Sequence, residues 1–164
     1  MEALAAGGPF VNLTAVRQSL GGKFILDTTS SVVLVLYRPS VDVADGNWTS
    51  SLGGGDLYAA INEETFDDAN YIQSGTNPSG DVANIRFESA LTPPVMTGHT
   101  IRYRIKGASN VAMTVDLLSN VTVIKTWTHN PVASTYTTYE QTLSTVEAAT
   151  IADYTNLRLR FTAG

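Results

Sequence analysis

The chain has 164 residues, no cysteine, and a formal net charge of −5. The lack of cysteine excludes disulfides and thiolate metal sites, and the acidic balance argues against a duty of wrapping nucleic acid. Only 15% of residues are charged, while Thr, Ser, Asn and Gly are abundant, a composition that suits β-structure whose wet surface is built from hydroxyls and amides.

Residues 1–30 are rich in Ala, Gly, Ser and Thr, with scattered apolar residues and no clean period. The start, MEALAAGGPF, lacks the basic and long apolar regions of a signal peptide. The run Val32–Tyr37 does not alternate, so it reads as a strand buried on both faces. It falls far short of the roughly 18 residues a membrane span needs. These features predict a soluble chain, made in the cytoplasm, with no membrane partner. Pro39, Asp45, Gly46 and Asn47 mark turn chemistry.

From Trp48 onward, short strands alternate with turn clusters. The predicted strands cover 56–62, 70–74, 82–89, 99–107, 111–118, 121–127, 134–143 and 156–162. Short strands at this spacing predict an all-β antiparallel sandwich or barrel. One short helix is predicted near Ser144–Ile151, because Ser144 and Glu147 have the spacing of a capping box, with Leu143 and Ala148 as a hydrophobic staple.

Candidate chemistry is thin. His99 and His129 fall at predicted strand ends with no metal-ligand neighbours at useful spacing, and read as edge or turn histidines. No nucleophile elbow, phosphate loop or dinucleotide fingerprint occurs, so neither an enzyme nor a cofactor is expected. The acidic group Glu63, Glu64, Asp67 and Asp68 is the best calcium candidate, yet it lacks an EF-hand spacing. A solvated loop, or a partner for cationic strands, accounts for it better. The three Asn-x-Ser/Thr matches at Asn12, Asn47 and Asn120 carry no weight without a secretory signal. Trp48, Trp127, Tyr58, Tyr71, Tyr136 and Tyr139 are the rings that would stack on a glycan, but Tyr136 and Tyr139 are out of phase on a regular strand. Packing in the core or at its rim is the expectation for most of them.

Two stretches place five of the ten cationic residues on strand faces. In Ile101–Lys106, Arg102, Arg104 and Lys106 oppose Ile101, Tyr103 and Ile105; in Leu157–Phe161, Arg158 and Arg160 oppose the apolar residues. A strand with one face in the core must alternate in this way, so a wet sheet face explains both stretches. Pairing with acidic groups of this subunit or a neighbour fits a −5 chain better than a polyanion stripe.

The order of residues in NWTSSLGGGDLYAAINEETFDDANYIQSGTNPSGDVANIRFESALTPP, followed by GHTIRYRIKG, resembles a domain of tailed-phage virion proteins, as does the closing run TWTHNPVASTYTTYEQTLSTVEAATIADYTNLRLRFTA. The resemblance spans roughly residues 46–163 and contains no catalytic motif. It implies a jelly-roll β-sandwich over 46–164, preceded by an extended arm and strand over 1–45. It implies a virion protein without saying which one, and the small, cysteine-free, Thr-rich chain agrees with a capsid decoration (cement) protein on the outside of the head, expected as a homotrimer on the major capsid protein. The rival readings are a tail or head-fibre component and, from another class, a carbohydrate-binding adhesion module for a host-surface glycan, which an exposed row of aromatics would favour. In this reading the arm orders on the capsid or on a neighbouring subunit through Leu4, Phe10, Val11, Leu13 and Val16, and the apolar run at 32–37 is covered in the core or between protomers.

Overall fold

The computed structural model describes residues 16–18, 24–26, 36–92, 96–108 and 110–164. The chain divides into two compact units, Met1–Leu36 and Tyr37–Gly164.

In the first unit, β1 (Val16–Gln18) pairs antiparallel with β2 (Phe24–Leu26), placing Val16 opposite Leu26. This ladder lies in a stretch whose composition predicts no regular strand. Leu4, Phe10, Val11 and Leu13 lie outside the described residues, and Val16 is the first residue of β1. Residues 32–35 of the predicted apolar strand also lie outside the described residues.

The second unit is an antiparallel all-β sandwich with one short helix. Its larger layer runs β3 (Pro39–Ala44), β6 (Asp81–Phe87), β11 (Leu157–Ala163), β8 (Met113–Ser119) and β9 (Thr122–His129). Its smaller layer pairs β7 (Thr100–Ile105) with β10 (Thr137–Thr142). Alternation decides which side of each strand is buried. Ile85, Val115, Leu117, Leu159 and Phe161 of the larger sheet share one core with Tyr103 and Ile105 of the smaller.

Two stretches of this second unit fold otherwise than the sequence reading assigned them. Residues 39–44 form an edge strand rather than a turn, so the sheet unit takes in residues that the sequence assigned to the arm. Pro39 opens this strand, a place where the missing N–H costs no ladder bond, and the true turn begins at Asp45, where Gly46 adopts φ +55°. A side chain on Gly46 would meet the Val82 carbonyl oxygen at 2.3 Å, so glycine is required here.

The segment at 56–62 is not a strand but contains a single 3-10 turn, Tyr58–Ala60. The Asp42 carboxylate accepts from the N–H groups of Leu57 (2.6 Å) and Tyr58 (2.8 Å), which captures donors that a ladder would otherwise use. Leu57 and Ala60 are buried. The surrounding loop is closed at its base by β4 (Thr49–Ser50) pairing with β5 (Ile72–Gln73).

The helix α1 (Thr145–Ala149) has the predicted capping box: Ser144 Oγ accepts from the Glu147 N–H, and the Glu147 carboxylate accepts from the Ser144 N–H. Leu143 and Ala148, the residues of the predicted staple, are both buried in the core. No helix among the described residues is long and apolar enough to cross a membrane.

Candidate interaction surfaces

The outward face of the smaller sheet carries the first cationic stretch, and a loop closes over it. Arg104 donates from Nε to Asp68 Oδ1 at 2.6 Å, from Nη2 to Asp68 Oδ2 at 2.7 Å, and from Nη1 to Thr138 Oγ1 at 3.1 Å. This fork is the geometry in which a guanidinium holds a carboxylate best. The hydrogen bond from Arg104 holds the Asp68 carboxyl below its ordinary range, and the same contact raises the guanidinium. Arg102 pairs with Glu140 at 3.3 Å and lies over the Phe66 ring at 4.8 Å. Arg104 and Lys106 both lie over the Tyr136 ring, at 5.4 and 4.7 Å.

The outward face of the larger sheet carries the second stretch. Here Asp116 sits directly across the ladder from Arg160, and the residue is only 5% exposed. Arg160 donates to Asp116 Oδ2 from Nε (2.9 Å) and Nη2 (2.7 Å), while Thr126 donates to Oδ1. The buried carboxylate is thus satisfied from both neighbouring strands. Arg158 donates to amide oxygens, from Nε to Asn156 (2.9 Å) and from Nη2 to Asn120 (3.2 Å). This face is not merely wet, as the alternation alone suggested: on β11 it includes an ion pair whose carboxylate is buried, although the Arg160 side chain stays 35% exposed.

The acidic group of 63–68 is spent on local and cross-element bonds. Glu63 accepts from Asn70 Nδ2 and from the Asp67 N–H, Asp67 accepts from the Ala69 N–H, Glu64 pairs with Arg38 at 3.5 Å, and Asp68 holds Arg104. No cluster of three or more metal-ligating side chains occurs among the described residues.

Each histidine bonds a core tyrosine. His99 Nε2 is 2.9 Å from the Tyr154 hydroxyl, and His129 Nε2 is 2.9 Å from that of Tyr103. Burial pushes the Tyr103 hydroxyl up to about 12 and lowers the His129 imidazole.

The rings considered for glycan stacking are mostly engaged. Trp48 is buried against Phe161, Trp127 and Tyr139 pack against Tyr103, and Tyr136 lies under two cations. Tyr136 and Tyr139 do face opposite sides, as their spacing requires. Tyr58 is half-buried against the core, and Tyr71 remains on the surface.

Sequence reasoning missed Asp116, Phe66 and Arg86 as members of these surfaces. Only the pairing register brings the first beside Arg160 and the last beside Arg158.

Compared with protein-family models, curated proteins and solved structures, the chain matches none.

Proposed function

We propose that the chain is a structural protein of a tailed-phage virion, a decoration protein that binds the outside of the head as a homotrimer and stabilises it. The resemblance over residues 46–163 motivates the reading, and the all-β sandwich is compatible with it. Within this reading, the division at Leu36/Tyr37 supports assigning attachment to the first unit. In the sandwich unit the acidic loop, most of the cations and most of the rings are engaged in internal contacts. Attachment to the shell then falls to the first unit, whose small-residue composition gains little from burial alone and suits ordering on a partner.

The test uses heads of the encoding phage stripped of this protein. Full-length protein should rebind them, and protein lacking residues 1–30 should keep its β-type circular dichroism yet fail to bind. Wild-type occupancy by the truncated protein would refute the assignment of attachment to this segment. Failure of the full-length protein to bind heads would refute the reading itself. Light scattering at micromolar concentration should give a trimer mass, and a monomer there would remove the homotrimer.

A further inference from the structure

Asp45-Gly46 is the sole place in the sequence where an aspartate or asparagine precedes a glycine. In such a pair the main-chain nitrogen after the carboxyl carries no side chain to block its approach, so the two groups can react with each other. The fold keeps the pair. Gly46 holds φ +55°, and a Cβ there would meet the Val82 carbonyl oxygen. Both residues are exposed, so water reaches them.

Hydrogen bonding singles this aspartate out. Among the described residues, the Asp45 carboxylate accepts no hydrogen bond and pairs with no cation, and the Gly46 N–H donates to no acceptor. Asp67, Asp68, Asp81, Asp116 and Asp153 each have the carboxylate held by a hydrogen bond, and Asp42 caps Leu57 and Tyr58. Asp56 also has no carboxylate partner among the described residues, but the amide that follows it, Leu57 N–H, is taken by Asp42. Partial desolvation, and then the Asp42 and Asp56 carboxylates, push the Asp45 carboxyl above its ordinary range. More of it is therefore neutral, the form whose hydroxyl can leave as water.

We propose that Asp45–Gly46 is a site of spontaneous isomerisation to isoaspartate in the folded protein. The Gly46 nitrogen attacks Asp45 Cγ. The N–Cγ bond forms, the Cγ–OH bond breaks, and the hydroxyl leaves with the amide proton as water, closing a succinimide ring. Water then adds to one of the two ring carbonyls and opens it. Addition at Cγ restores aspartate. Addition at the Asp45 main-chain carbonyl carbon leaves Gly46 joined through Cγ, with that carbonyl freed as a carboxylate. The mass is unchanged and the main chain gains a methylene. The gain falls where the chain has no slack. The Trp48 N–H donates to the Asp45 carbonyl at 3.0 Å, Asn47 Nδ2 donates to Asp81 Oδ1 at 2.9 Å, and the Trp48 ring is buried against Phe161. The product therefore loses the seat of Trp48 or the fit of Gly46 against Val82.

The test holds folded full-length protein in water labelled with heavy oxygen at physiological pH and temperature. Label and isoaspartate are read in peptides spanning each aspartate by electron-transfer fragmentation. Both should build up at Asp45 and not at Asp56. The rate should lie within about tenfold of that of the urea-unfolded chain, since no hydrogen bond to either group has to break first. Asp45→Glu, whose longer side chain closes its ring far more slowly, should lose the signal while melting like wild type. Asp45→Asn, which expels ammonia instead of water, should raise it. The isolated isoaspartyl protein should melt below the unmodified one, and equal melting would overturn the claim that the turn has no slack. The proposal is overturned if Asp45 takes up no label, if the folded chain reacts more slowly than that tenfold margin allows, if Asp45→Glu keeps the signal, or if Asp56 reacts as fast as Asp45.

Discussion

β7 and β11 carry the same pattern, an apolar residue alternating with an arginine, yet their arginines have different duties. On β7, Arg102 and Arg104 reach outward to groups that keep much of their contact with water; the Arg104 and Asp68 side chains are 28% and 46% exposed. The contact fastens the 51–71 loop to the sheet. On β11, Arg160 serves a carboxylate that the sheet has taken out of water. Identical alternation thus yields a fastening in one place and a structural obligation in the other, and the cross-strand neighbour decides which. A desolvated charge depends on its partner far more than a hydrated one does.

The largest expected effect follows from that asymmetry. Arg160→Gln leaves Asp116 buried with only the Thr126 hydroxyl as a donor, and should cost about 3 kcal/mol of stability in chemical denaturation, at the lower end for an orphaned buried charge. A loss within the range of ordinary surface changes, about 0.5 kcal/mol, would break the distinction between the two strands. Replacing Asp116 as well, by Asn, should restore part of the loss.

Arg104→Gln should lower the melting temperature much less. Its clearer signature is local: amide exchange in residues 51–71 should quicken while exchange in β8 and β11 stays unchanged, since local opening follows the contacts that hold a segment.

Proton titration sharpens the comparison elsewhere in the sandwich. Hydrogen bonds from Lys125 and from the Ser144 backbone and hydroxyl bring the Glu147 carboxyl down to about 2. Its contribution is present above the ordinary carboxyl value of about 4.3 and is lost as pH falls from there toward about 2. Melting curves of wild type and Glu147→Gln between pH 6 and 2 should therefore converge at the acid end. His129 acts in a higher window. Burial lowers its pKa, so the unfolded chain binds a proton before the folded one does. Stability should decline as pH falls below about 6.5 and level off once pH drops below the folded value. Replacing His129 by Gln should flatten that part of the profile, and an unchanged slope would show that the imidazole does not contribute to it.

The smallest effect belongs to Arg102→Gln. Its ion pair joins side chains that are 56% and 64% exposed, and its removal should change stability by no more than about 0.5 kcal/mol in thermal melts.

Much of the fold was legible because period-2 alternation is a direct consequence of burying one face. The strands β6 to β11 and the Ser144–Glu147 cap follow from local pattern alone. The edge strand β3 was hidden by Pro39 and by the Asp45–Gly46 turn beside it. The 3-10 turn at Tyr58 was hidden because the group that captures its backbone, Asp42, lies 16 residues away. The surfaces were less legible than the fold. Pairing of cations with acids was foreseeable from charge balance, but the burial of Asp116 was not. Only the register, which sets Arg160 and Thr126 on either side of Asp116, shows how a carboxylate can be buried there. Arg86 escaped notice for the same reason, since a single arginine in VANIRFE becomes unusual only beside Arg158.

The most direct test is a pair of double-mutant cycles in chemical denaturation, one on Arg160 and Asp116 and one on Arg104 and Asp68, each using Arg→Gln and Asp→Asn. The cycle on the buried pair should return a coupling of about 2–3 kcal/mol, near the top of the range for residues in one network, and clearly larger than that of the loop pair. Equal couplings, or a larger one at Arg104–Asp68, would contradict the claim that the cross-strand neighbour, rather than the arginine pattern, sets what each strand's cations do.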